Sequence, residues 1–218
     1  MMRGAVRRLV PAALAAVVLT GCSSESDGGG AADRPTAVRS AEAGADKAAD
    51  KAVAKGGSVG GSGSDCALPI SFDLAADWKP EAVTVDPGSE FDELLAKQGP
   101  VTLVCEIDAK PAGNIGFLRV WAGDASNSTA RQVLEAFIAD DETAGKITYK
   151  ETEAGALTAT EAGYTVNVEP LDESKTERAF AVTTPDGPVV VHLGGMDTQE
   201  HEEMLPAYEL AKKTLKLG

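Results

Sequence analysis

The sequence predicts an α+β domain, a mainly antiparallel sheet flanked by helices, and three observations carry that prediction. From residue 66 to residue 195, apolar and polar residues alternate along one stretch after another, the period of half-buried strands. Short turns rich in Gly, Pro, Asp or Asn join most of these stretches, and such turns connect antiparallel neighbours, whereas parallel pairs need long crossovers. The stretches with helical spacing, 90–97, 126–140 and 197–217, do not alternate with the strands one for one as βαβ units would.

The chain opens with a leader. In "MMRGAVRRLVPAALAAVVLTGC", Arg3, Arg7 and Arg8 precede the apolar stretch 9–20, the layout of a secretory signal peptide. That stretch is shorter than the roughly 20 apolar residues a spanning helix needs, and Pro11 interrupts it. Leu19-Thr20-Gly21-Cys22 resembles the lipobox of bacterial lipoproteins, which implies a diacylglyceryl group on the Cys22 sulfur, cleavage ahead of it and a mature chain starting there. Two acyl chains, at ~0.8 kcal/mol per buried methylene, anchor a protein stably. The expected organisation is a signal peptide over 1–21, the lipidated Cys22 with a disordered Gly/Ala/Ser-rich tether over 22–65, and one α+β domain over 66–218. The tether reading rests on composition: "GGG" and "GGSVGGSGSD" offer nothing to bury, and every aromatic residue lies beyond position 65. As random coil the tether has an end-to-end distance of about 35 Å.

Within the domain, "ALPISFDLAADW" (67–78) alternates at Ile70, Phe72 and Leu74, and a short strand follows from Trp78 through Val83 and Val85. "EFDELLAK" (90–97) has Phe91, Leu94 and Leu95 on one helical face behind Ser89 as N-cap. "VTLVCEIDA" (101–109) and "IGFLRVWAG" (115–123) form a hairpin across "KPAGN". "SNSTARQVLEAFIAD" carries Val133, Leu134, Phe137 and Ile138 at helical spacing, with Asp124, Ser126 and Asn127 as capping residues. "KITYKETEAGAL" and "GYTVNVEPL" are strands with a break between them, and "ERAFAVTT" and "PVVVHLGG" close a hairpin across "PDG". In the last helix Asp197 and Glu200 suggest a capping box, Met204, Tyr208, Ala211 and Leu215 line one face, and Pro206 predicts a kink or break.

This order, from "ISFDLAADW" through "GFLRVWAG", "TARQVLEAFIA", "ITYKETEAGALTATEAGYTVNV" and "RAFAVTTPDGPVVVHL" to an amphipathic C-terminal helix, resembles the PsbP-like fold over about 70–218. The family includes the LpqN-type lipoproteins of actinobacteria. The resemblance implies an α/β/α sandwich and a protein that binds or assembles instead of catalysing; it carries no functional residue onto this chain.

Charge narrows the partners. The formal net charge is −14, and the leader's arginines lie outside the domain, so the domain is more acidic still. Phosphate recognition needs clustered cations; the one basic cluster, Lys212, Lys213 and Lys216, complements the end of the last helix, so no nucleic acid is expected. After lipidation of Cys22 two cysteines remain. Pairing Cys66 with Cys105 in an oxidising compartment closes a loop of about 40 residues.

Nothing in the chain assembles a recognisable catalytic or metal site. His192 alternates with Val191 and Leu193 and reads as solvent-facing or as a satisfied sheet residue. His201 sits among Glu202 and Glu203, but neighbours at i+1 and i+2 diverge on a helix, so a solvated face is expected there. "DASNSTARQVLE" (124–135) mimics a calcium loop, yet Thr129 stands where that loop needs glycine. Neither enzyme chemistry, a cofactor nor a metal is expected. The functional expectation is a membrane-anchored extracytoplasmic lipoprotein at the cell envelope, a non-enzymatic binding or interaction module whose partner is another envelope protein. The alternative is a lipoprotein holding a small apolar or lipid-like ligand between sheet and helix. Trp78 and Trp121, both beside turns, are the candidate binding residues, because tryptophan at a strand end can reach the rim and dominate recognition.

Overall fold

The computed structural model describes residues 53–61, 63–84, 96–168 and 173–218. The leader, Cys22, the chain up to Ala52 and most of the expected helix at 90–97 lie outside these residues. Among the described residues, eleven strands and two α-helices follow in chain order: β1 Lys55–Val59, β2 Ile70–Ala75, β3 Lys79–Ala82, β4 Lys97–Gln98, β5 Val101–Asp108, β6 Gly116–Ala122, α1 Ala130–Ala139, β7 Ala144–Ala154, β8 Leu157–Val168, β9 Glu173–Thr184, β10 Gly187–Gly195, α2 Thr198–Thr214 and β11 Lys216–Leu217. The fold is α+β and every strand pair is antiparallel. The large sheet runs β3-β5-β6-β10-β9-β8-β7, with β4 also on the outer edge of β5, and β1-β2-β11 form a small second sheet.

Alternation decides which residues meet which helix. On one face Val189, Val191 and Leu193 of β10 and Phe180 of β9 pack with Met204 and Tyr208 of α2; Ile70, Phe72 and Leu74 of β2 join the same cluster. On the other face Val190, Ala179 and Tyr164 pack with Val133, Leu134 and Phe137 of α1. Helix α1 begins with a capping box that Thr129 builds, not Asp124, Ser126 or Asn127: Gln132 N donates to Thr129 Oγ1 (3.2 Å) and Thr129 N donates to Gln132 Oε1 (2.9 Å). Ser126 Oγ accepts instead from Ser128 N at 3.4 Å, ahead of the helix.

Several other expectations change. The segment 55–59, read as tether, is a strand paired to β2, and its Val59 is fully buried. Backbone pairing and one buried side chain offset the ordering cost that its composition implied. Glycine is required just after it: Gly60 has φ +87°, and a Cβ there would overlap the Ile70 carbonyl. The break between β7 and β8 shrinks to a turn at Gly155, where φ is +57° and a Cβ would overlap the Leu215 carbonyl, so Glu161 and Gly163 fall inside β8. Helix α2 continues through Pro206. The carbonyl that loses its donor is that of Glu202, an exposed residue, so water can serve it.

Cys66 and Cys105 form a disulfide that ties the start of the domain to β5 across a sequence separation of 39. Constraining the unfolded chain by that loop is worth roughly 4 kcal/mol on the chain-entropy model. A Cys66→Ala/Cys105→Ala variant should therefore unfold in urea with stability lowered by about 2–5 kcal/mol. Alkylation of the denatured, unreduced parent should find neither of these thiols free.

Candidate functional site

A glycine opens the site. On the α2 face of the sheet, Thr148, Gly163 and Arg178 form one cross-strand row over β7, β8 and β9, beside a second row of Lys150, Glu161 and Phe180. Helix α2 covers the second row: Tyr208 packs edge-on to Phe180, with ring centroids 5.5 Å apart, and Lys212 reaches Glu161. Beside the helix, with no side chain at 163, a pocket of about 230 Å3 is lined by Thr148, Tyr149, Lys150, Glu161, Gly163 and Arg178.

Its electrostatics form a chain of alternating charge. The Glu161 carboxylate, 2% exposed, lies 2.8 Å from the Lys150 ammonium and accepts a hydrogen bond from Lys212 at 3.0 Å. Lys212 also pairs with Glu209 at 2.9 Å, and Glu209 stands 3.5 Å from Arg178 Nη1. Burial pushes the Glu161 carboxyl up, but the bonds and charges of Lys150 and Lys212 outweigh burial and hold it below the usual range. Burial and the Glu161 charge push the Tyr208 phenol well above its ordinary value, which keeps it neutral. Lys212, read from sequence as one of three lysines complementing the end of the last helix, is a buried counterion. Three cations face two carboxylates. The positive charge left over belongs to Arg178, whose only anionic contact among the described residues is the long one to Glu209.

The opposite face carries a second buried group. His192 Nε2 donates to Glu177 Oε2 at 2.8 Å, and Glu177 Oε1 lies 2.8 Å from the Lys175 ammonium. Tyr164 stacks on the His192 ring at 6.3 Å between centroids. Of the two readings open for His192, the satisfied sheet residue is the one observed. Burial pushes the Glu177 carboxyl up, yet His192 and Lys175 together bring it down to about 2.

His201 departs from expectation. It is 1% exposed with neither ring nitrogen hydrogen-bonded, and burial, helped by the Arg178 charge, lowers it to about 4, so the imidazole is neutral. The signal was present, since the stripe Met204, Tyr208, Ala211 extended back by three residues reaches 201. The predicted bond from Glu200 N to Asp197 is present at 2.9 Å. The Glu200 carboxylate does not return it; it accepts from Ile115 N at 2.9 Å, fastening the start of α2 to the β5–β6 hairpin.

The tryptophans are not on the rim. Trp78 is 7% exposed in the α2-side core, and Trp121 is 6% exposed in the α1-side core with its ring 5.4 Å from that of Phe137. Both rings belong to the packed cores beneath the helices, which closeness to a turn in sequence does not reveal. Among the described residues no three His, Cys, Asp or Glu side chains gather as metal ligands would. Proton transfer at neutral pH needs a group that titrates nearby. Glu161, Glu177 and His201 are each held below that range.

A family model described as "Uncharacterised lipoprotein" matches residues 36–215. No curated protein matches the chain. Among solved structures, the chain is similar to cyanobacterial PsbP (CyanoP) from Synechocystis sp. PCC 6803, with 13% identity and a TM-score of 0.48 over 74% of this chain and 98% of that one.

Two predictions follow from the burial. Trp121→Ala should lower stability by about 3–5 kcal/mol, as large-to-small changes in packed cores do; a melting temperature close to the parent's would return Trp121 to the surface. The acid limb has two parts. His201 takes up its proton at about 4 when folded against 6.5 ordinarily, so the unfolded chain binds first and stability is lost as pH falls from 6.5 to 4. Glu177 does the same from 4.5 toward 2. In urea titrations across this range His201→Leu should flatten the upper part, and Glu177→Gln the lower.

Proposed function

Because the chain belongs to a family of uncharacterised lipoproteins, we propose that it works at the cell envelope as a non-enzymatic binding module, anchored to the extracytoplasmic face of the membrane by a diacylglyceryl group on Cys22. The observation that carries the anchoring is the Leu19-Thr20-Gly21-Cys22 stretch behind a leader of three arginines and a dozen apolar residues. Palmitate or a similar acyl chain on Cys22 would be the membrane contact, and the resemblance to LpqN-type lipoproteins of actinobacteria agrees with it. The described domain begins at Val53, so the chain between anchor and domain, fully extended, spans at most about 100 Å.

The binding half of the reading rests on charge. Glu161 and Glu177 are each held ionised by neighbouring groups, and Arg178, whose one anionic contact among the described residues is the long approach to Glu209, lines an open pocket. In this reading recognition belongs to the Arg178 pocket, since Trp78 and Trp121, at 7% and 6% exposed, offer a partner little surface. A lipid-like ligand between sheet and helix has less in its favour, because the space under α2 is occupied by Phe180, Leu193, Met204, Leu205 and Tyr208, each buried.

In cells given labelled palmitate, the parent chain should take up label and Cys22→Ala should take up none, accumulating as unprocessed precursor. Label on the Cys22→Ala chain would refute the anchor.

A further inference from the structure

We propose that the pocket beside α2 is a receptor for one carboxylate group of a small molecule, gripped by the Arg178 guanidinium, with Thr148 and Lys150 at its rim. The proposal rests on the binding reading above and is independent of the lipid anchor. A guanidinium has five N–H donors in a planar fork that matches a carboxylate. The side chain of Arg178 is only 20% exposed, yet among the described residues it makes one anionic contact, a 3.5 Å approach of Nη1 to Glu209. Such a group lacks the short charge-assisted bonds that buried cations normally make.

The surroundings shape that demand into a site. Gly163 lies between Thr148 and Arg178 in the cross-strand row, so no side chain stands between them on this face, and all three line the pocket. The gap is real space: a Cβ built at Gly163 would meet nothing closer than Thr148 Oγ1, at 3.6 Å. Lys150, whose side chain is 63% exposed, also lines the pocket, and while paired to Glu161 at 2.8 Å it adds positive potential there. Glu161 does not repel one strongly, because Lys150 and Lys212 already neutralise it.

Charge chooses the ligand. Lys150, Lys212 and Arg178 against Glu161 and Glu209 leave one net positive charge in the cluster. A single carboxylate brings it to neutrality, whereas a doubly charged phosphate would leave an excess negative charge inside a chain whose net charge is already −14. The pocket, about 230 Å3, admits a carboxylate with only a few further heavy atoms.

The test is a titration of the 15N-labelled full chain in detergent micelles with sodium acetate, against sodium chloride at equal ionic strength. Acetate should shift the Gly163 amide and the Arg178 Nε–H resonances saturably, and chloride should not. Arg178→Lys keeps the charge without the fork and should weaken binding about tenfold or more. Gly163→Val fills the gap in an uncrowded strand and should abolish the shifts while leaving the spectrum folded. Unsaturable shifts, parent-like binding by folded Gly163→Val, or inorganic phosphate binding more tightly than acetate would each overturn the proposal. Loss of acetate binding leaves fatty-acid labelling at Cys22 untouched, and loss of labelling leaves the titration untouched, so the two readings fail separately.

Discussion

Every residue of β10, from Gly187 to Gly195, is buried, and the architecture depends on this two-sided burial. "GPVVVHLGG" has no polar face to turn to water, a pattern more usual in parallel sheets, so both of its surfaces must be covered. Helix α1 covers one, and α2 together with the small β1-β2-β11 sheet covers the other. Cover then thins toward the edge. β9 and β8 still carry buried residues on both faces, while most of β7 is exposed. The pocket beside α2 lies where that cover stops, at the one row whose middle residue is glycine.

The same boundary explains where the buried acids sit. Glu161 and Glu177 occupy β8 and β9, on opposite faces, Glu161 between Lys150 and Lys212 and Glu177 between Lys175 and His192. Such pairs contribute little stability compared with apolar residues of the same shape, but removal of one partner leaves an uncompensated charge at a cost of several kcal/mol. Their effect is on arrangement. Lys212 comes from α2 and Lys150 from β7, so satisfying Glu161 sets the register of the helix over the sheet at its least apolar end.

Much of this was legible in the sequence because two-residue and helical periods are written in single side chains. β5, β6, β9, β10 and α1 follow from alternation, turn residues and one apolar stripe. Cys66 and Cys105 were legible as the only pair left. What escaped depended on chain meeting chain. Lys55–Val59 looks like linker until β2 supplies its partner. The burial of Trp78 and Trp121 depends on which helix packs over each strand, and the helix through Pro206 depends on the carbonyl of the exposed Glu202. Gly163 read only as the first residue of the strand after a break; its importance appears when Thr148 and Arg178 stand on either side of it.

The route by which the chain enters the domain has a mechanical consequence. Any pull on the residues before Val53 arrives first at β1, a five-residue strand held along one edge of β2. If β1 peels away, the slack gained ends at Cys66, because the disulfide passes the load to Cys105 in β5. The first element to yield is thus one whose loss leaves the large sheet, both helices and the Arg178 pocket in place. Beyond it the load meets a covalent stop next to the centre of the fold. The N-terminal strand acts as a short extensible coupling, and the domain behind it stays folded while the coupling gives.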